Sequence, residues 1–271
     1  MGGGGFSASA SDYALDDYVL GLASGRREPR ICLLPTAGGD AQDQIVRFHA
    51  AFDDRPCVPS YLSLFRLGQK PISLREHLLD QDIVYVGGGS MLNMLAIWRA
   101  HDLDAVMREA WEAGVILCGL SAGSMCWFGG GITSSTGRLA PAPGLGLLDG
   151  SNCVHYHDEA GRRPAFLAAI GDEALPSGWG ADDGVGLLFE GEELADVVSA
   201  LGGRGDARHP RARRRGLRTA PSAAAAAQRT APRADVAHRA DRRAPPAASP
   251  RPRGPHRPPP GGHTRLTAPR R

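Results

Sequence analysis

The segment Gly119-Leu120-Ser121-Ala122-Gly123-Ser124 carries the clearest chemistry in this chain. A serine hydroxyl attacks a carbonyl only when a base takes its proton and fixed donors receive the charge that develops on the substrate oxygen. The G-x-S-x-G spacing suits that task. An apolar strand, Val115-Ile116-Leu117-Cys118, precedes it, and a helix-compatible run, Met125-Cys126-Trp127-Phe128, follows it. Ser121 is therefore predicted on a sharp strand-to-helix turn. Glycine is needed on both sides because side chains at Gly119 and Gly123 would collide with neighbouring backbone. The turn lifts the hydroxyl out of the sheet, the following helix points its amides and positive dipole end at the site, and the Ala122 N–H is free to meet an oxyanion.

Two further segments could complete such a site. Val86-Gly87-Gly88-Gly89 ends a strand with three glycines, whose amides can turn toward a ligand and supply a second oxyanion donor or cradle an anion. Cys153-Val154-His155-Tyr156-His157-Asp158-Glu159 offers a general base and an acceptor to orient it. Spacing does not choose between His155 and His157, which would share one face of a strand. An H-x-H pair can also chelate a metal, but no third ligand cluster accompanies it, so no metal and no cofactor is assigned.

These segments need a scaffold, and residues 1–200 read as alternating strands and helices. Strands are expected at Ile31–Pro35, Tyr61–Phe65, Asp82–Val86 and Val115–Cys118. Helices are expected at Ala41–Phe52, after a Ser90 cap, at Asp104–Glu112 and at Arg163–Ile170. Gly129–Gly150 reads as a loop region with short strands, and Gly184–Phe189 with Leu194–Ser199 as an antiparallel hairpin. Alternation of this kind implies an α/β fold whose parallel sheet is covered on both faces, with ligands at the carboxyl ends of its strands.

The net charge of +2 conceals a division. The residues after Ala200 hold 18 Arg, no Lys, three Asp and no Glu, a charge of +15 that leaves −13 on the first 200. This tail, 201–271, also holds 12 of the 21 prolines and no aromatic residue, too little apolar surface to offset its ordering entropy, and is expected to be disordered. Its arginines could contact phosphates, but nothing in it reads a groove or stacks on bases, so nucleic acid is not taken as the partner. The five cysteines are odd in number and form no C-x-x-C pair, and read as small buried hydrophobes. With no signal-peptide pattern and no apolar run of membrane length, a soluble cytoplasmic protein is expected.

Taken together, Val86-Gly87-Gly88-Gly89, Gly119-Leu120-Ser121-Ala122-Gly123 and His155-Tyr156 resemble peptidase E in order and spacing, over roughly Gly2 to Ala200. That family includes aspartyl dipeptidases, and cyanophycinases are its relatives. The resemblance implies a class I glutamine amidotransferase-like (flavodoxin-like) parallel-sheet sandwich with a Ser-His-acid triad. It implies Ser121 as nucleophile, His155 as base, and the backbone of Gly88 or Gly89 and of Ala122 as oxyanion donors. It also implies a small peptide substrate, with an arginine after the histidine, Arg162 or Arg163, binding an acidic P1 side chain.

The sequence departs from the family at four places. Relatives carry Asp or Glu in the loop after the elbow, where this chain reads Ile132-Thr133-Ser134-Ser135-Thr136-Gly137, so a Ser-His dyad is expected, with Asp158 or Glu159 as substitutes for the acid. That loss favours an alternative, a degenerate relative that binds peptides or a partner. Ser90 stands where the family has Asn. Met1-Gly2-Gly3-Gly4-Gly5-Phe6 looks like the end of the family's first strand, without the strand itself. The family's last strands should follow Ala200, where the Arg-Pro-Ala tail stands instead; its composition is what GC-rich codons yield out of frame, so a frameshift is expected there.

Overall fold

The computed structural model describes residues 1–7, 13–23, 25, 28–69 and 72–200. The expectations placed on 201–271, its disorder and its out-of-frame origin, lie outside the described residues.

Four parallel strands build the first sheet: β1 (Arg30–Leu34), β2 (Val58–Tyr61), β3 (Ile83–Val86) and β4 (Ile116–Gly119), in the order β2-β1-β3-β4. Both faces are covered, and the two-residue period of the strands divides the core. Cys32, Leu34, Val84 and Val86 face one cluster, with Leu78, Met94, Trp98 and Met107 from α3 (Leu74–Leu79), α4 (Met91–Ala100) and α5 (Leu103–Glu112). Ile31, Leu33, Ile83 and Tyr85 face the other, with Val19 from α1 (Ala14–Leu22) and Ile45, Phe48 and Phe52 from α2 (Gln42–Phe52). Ile45, Phe48 and Phe52 lie on one helical face, whereas Val46 is 56% exposed on the other side. As expected, Ser90 caps α4, its Oγ accepting from the Asn93 N–H at 3.3 Å.

Two expectations are corrected here. The second strand is Val58–Tyr61, not Tyr61–Phe65, and a 3₁₀ turn covers Leu64–Arg66. Pro59 weakens its sequence signal, yet β2 is the edge strand, where a missing N–H leaves no ladder bond unmade. The region after the elbow is largely sheet. The helix α6 has one turn, Ala122–Met125, so its dipole is small, and β5 (Phe128–Thr133) follows at once. With β6 (Ala140–Pro143), β7 (Leu148–Val154) and β8 (Gly178–Ala181) it forms a second, mixed sheet of order β6-β5-β7-β8, in which β5, β7 and β8 run parallel. The glycines that suggest a loop are packing requirements: a Cβ on Gly131 would stand 2.4 Å from the Asn152 carbonyl oxygen. The hairpin is found as β9 (Val185–Glu190) and β10 (Glu193–Ser199), and the late helix as α7 (Arg162–Gly171).

One buried carboxyl sits in the aromatic cluster. Asp16 is 0% exposed, its Oδ1 accepts from the Tyr85 hydroxyl at 3.1 Å, and burial pushes its pKa up to about 7. The folded state thus holds this proton more tightly than the unfolded chain, in which an aspartate titrates near ~4. Its contribution to stability is complete below ~4 and is lost as pH rises toward about 7, at no more than ~1.4 kcal/mol per pH unit. Asp16→Asn removes this dependence. The melting temperature of the variant minus that of the parent should increase between pH 5 and pH 8; a constant difference in thermal melts would contradict the assignment.

Candidate active site

The elbow forms as the sequence requires. Ser121 has φ +53° and ψ −115°, a conformation a side-chain-bearing residue adopts only under constraint. Close backbone crossings impose it. A Cβ on Gly119 would lie 2.3 Å from the Gly123 carbonyl oxygen, and one on Gly123 would lie 2.3 Å from that of Val86. The Ser121 N–H donates to Gly2 O at 2.9 Å and Met1 O at 3.2 Å, which ties the strained residue to the N-terminal segment.

The Ser121 Oγ stands 3.0 Å from His155 Nε2. His155 follows the last residue of β7 and has φ +51°, which ends the strand there, so His155 and His157 do not share a face. His155 Nδ1 lies 2.5 Å from Asp183 Oδ1. His157 turns away and pairs through its Nδ1 with Asp182, at 2.9 and 3.0 Å to the two oxygens.

The carboxylate on the histidine differs from the sequence expectation of a dyad assisted by Asp158 or Glu159. It belongs to Asp183, which the sequence reading did not single out. Asp158 is bound to the same network in another way: its Oδ2 accepts from the Asp183 backbone N–H at 2.7 Å. Asp182 Oδ1 accepts from the His157 backbone N–H at 2.9 Å. The turns after β7 and β8 therefore hold each other through reciprocal carboxylate–amide bonds. Glu159 is engaged elsewhere, accepting from Arg162 Nε at 2.7 Å. The signal for Asp183 was its position. Val154 is in register with Ala181 on parallel neighbours, so residues just beyond each strand emerge at the same end of the sheet. Gly178-Trp179-Gly180-Ala181 has too little strand propensity to disclose that neighbour.

The glycine turn lies beside Ser121. A Cβ on Gly88 would stand 3.3 Å from the Ser121 Cβ. Gly89 has φ +140° and runs against the Ala37 carbonyl, leaving no room for a side chain. Among the described residues the amides of Gly88, Gly89 and Ala122 donate no hydrogen bond. Gln44 Nε2 donates to Gly88 O at 3.3 Å and steadies this turn.

The two arginines separate. Arg162 is 4% exposed, with Nη1 on Ile132 O at 2.6 Å and Nε on Glu159, so its guanidinium is committed to joining α7 to β5. Arg163 is exposed and approaches the Tyr156 hydroxyl. Cys32, Cys126 and Cys153 are buried, and burial pushes the thiols of Cys32 and Cys153 up to about 12. Among the described residues no group of three His, Cys, Asp or Glu side chains is placed to hold a metal ion. No described helix is long and apolar enough to cross a membrane.

The chain is similar to known proteins along most of its length. A protein of Bacillus subtilis (strain 168) described as the uncharacterized peptidase YgaJ is 47% identical over 205 residues, covering 75% of this chain and 87% of the relative. The crystal structure of a candidate peptidase E protein from Listeria monocytogenes EGD-e aligns with a TM-score of 0.49 at 17% identity, over 67% of this chain and 92% of that one. The profile of peptidase family S51 matches residues 1–197. An α/β chain with parallel sheets, a serine elbow and a histidine before an aromatic residue thus belongs to peptidase family S51, the peptidase E family.

Proposed function

We propose that this S51 peptidase hydrolyses short peptides through an acyl-enzyme on Ser121, with a preference for an acidic P1 residue. The observation that carries the reading is the continuous line from Ser121 Oγ through both nitrogens of His155 to Asp183 Oδ1, at 3.0 and 2.5 Å.

In this reading His155 Nε2 takes the hydroxyl proton as Oγ attacks the peptide carbonyl. Asp183 holds the imidazole in the tautomer that leaves Nε2 free to accept, and stabilises the imidazolium once it forms. The tetrahedral oxyanion is received by the Ala122 N–H and by Gly88 or Gly89, whose amides have no competing acceptor among the described residues. The proton then passes from His155 to the leaving amine, and water repeats the sequence against the acyl-enzyme. Because these amides are held before substrate arrives, little reorganisation accompanies the reaction. Arg163, exposed next to the histidine loop, is the arginine available to a substrate carboxylate, since Arg162 is occupied.

Three measurements test this. Ser121→Ala should abolish hydrolysis of Asp-X dipeptides and labelling by a fluorophosphonate probe; unchanged turnover would remove Ser121 from the mechanism. An inert wild-type serine would instead favour the degenerate peptide-binding alternative. Asp183→Asn should lower kcat by roughly 10³–10⁴-fold with a smaller change in KM, as expected when the histidine tautomer is no longer enforced. Arg163→Ala should raise KM for Asp-X substrates relative to Ala-X substrates; an equal effect on both would exclude Arg163 from P1 recognition.

A further inference from the structure

Gln44 stands in the first turn of α2 and reaches across to the glycine turn after β3. Its carboxamide occupies a slot that two glycines leave open. A Cβ on Gly87 would lie 2.4 Å from Gln44 Oε1, and one on Gly38 would lie 3.3 Å from it. Neither glycine has a positive φ, so backbone conformation does not call for glycine at either position. The space taken by the Gln44 side chain does. Within that slot Nε2 donates to Gly88 O at 3.3 Å, while Oε1 is buried without a hydrogen-bond partner. The reverse orientation of the carboxamide would set two carbonyl oxygens against each other, so the Nε2 bond fixes it.

The peptide between Gly88 and Gly89 has few other hydrogen-bond restraints. Before it, the Gly87 N–H donates to Leu34 O at 3.1 Å; after it, the Ser90 N–H donates to Ala37 O at 2.8 Å. Between these anchors the amides of Gly88 and Gly89 donate no hydrogen bond among the described residues, and Gly88 O accepts from Gln44 alone. Glycine on both sides of this peptide removes the Cβ atoms that ordinarily limit its rotation.

Ser121 lies against the other side of the turn. A Cβ on Gly88 would meet Leu120 Cδ1 at 2.9 Å and the Ser121 Cβ at 3.3 Å, whereas one on Gly87 would meet Gln44. Successive residues of an extended segment project to opposite sides, so Gln44 and Ser121 flank the turn. In a trans peptide the C=O and the N–H also point in opposite directions. With Gly88 O directed at Gln44, the Gly89 N–H is directed away from it.

We propose that Gln44 is a positioning residue, which holds the Gly88–Gly89 peptide so that the Gly89 N–H, rather than that of Gly88, meets the oxyanion beside Ala122. This inference rests on the acyl-enzyme reading above and chooses between the two glycines that reading left open. A donor already aimed is worth most to the transition state, because no peptide has to rotate as charge develops on the substrate oxygen. Gln44 makes no hydrogen bond to Ser121 or His155, so it acts through the turn.

The test uses the full chain carrying Gln44→Met, Gln44→Glu or Gly87→Ala. Methionine keeps the length of the side chain without its donor, and alanine at position 87 pushes the carboxamide out of its slot. Both should lower kcat for Asp-X dipeptides roughly 10- to 100-fold with little change in KM or melting temperature, and slow fluorophosphonate labelling similarly. Combining the two should cost no more than either alone, since they remove one interaction. Gln44→Glu should match Gln44→Met at pH 8, where a carboxylate has no proton to give Gly88 O. Its kcat relative to Gln44→Met should rise as the pH falls to 5 and the carboxyl takes up a proton, a recovery that a merely structural role does not produce. The Gly88 carbonyl-carbon and Gly89 amide resonances should shift in Gln44→Met, a readout that needs no turnover. Unchanged resonances there, or an unchanged kcat, would overturn the proposal. If the wild-type chain is inert to dipeptide and probe, the peptidase reading fails and the resonances alone decide whether Gln44 holds the turn.

Discussion

The crossing of three backbones at the elbow, β3 at Val86, β4 at Gly119 and the first turn of α6 at Gly123, sets the geometry of everything around it. With additional Cβ atoms at Gly119 and Gly123 approaching carbonyl oxygens to 2.3 Å, no other residue fits without shifting the strands. The crossing constrains Ser121 to φ +53°, and its amide is held there by the carbonyls of Met1 and Gly2. The same compactness brings Gly88 against the serine, so the glycine turn and Ser121 are positioned by one contact.

The second half of the site depends on a different sheet. His155 and Asp183 leave adjacent parallel strands at the same end, and the two turns are clasped by Asp158 on the Asp183 N–H and Asp182 on the His157 N–H. Each carboxylate satisfies an amide of the opposite turn, so the imidazole is fixed from both directions. Four acids from two separate segments thereby acquire separate tasks: Asp183 faces the imidazole, Asp158 and Asp182 fix the turns, and Glu159 secures Arg162. Ser121 and His155 follow strands of different sheets, and their 3.0 Å approach rests on the packing of α6 against β7, reinforced by the Asn152 amide on Ser124 Oγ at 3.0 Å.

Local signals were legible where one short segment carries the whole constraint. The elbow, the triple-glycine turn, the Ser90 cap and the alternating strands β1, β3 and β4 each follow from adjacent residues. Glycine-rich β5 and β8 were not legible, because glycine signals a loop unless the backbone that crowds it is known. The membership of the S51 family was likewise readable from three separated motifs, and the family profile bears it out over residues 1–197.

The amino-acid sequence alone determined which serine stands on the elbow and why glycine flanks it, since both depend on chain stereochemistry within five residues. Its residues narrowed the expected base to two histidines, of which the family resemblance points to His155, and left the acid open, with Asp158 and Glu159 as substitutes. The tertiary structure decided between His155 and His157, placed Asp183 on the imidazole from 28 positions away and committed Arg162 to the core. Those choices rest on the pairing of β7 with β8 and on the direction in which each turn leaves its strand. Proximity across a sheet is set by register, and register has no local imprint in a strand as short and glycine-rich as Gly178–Ala181.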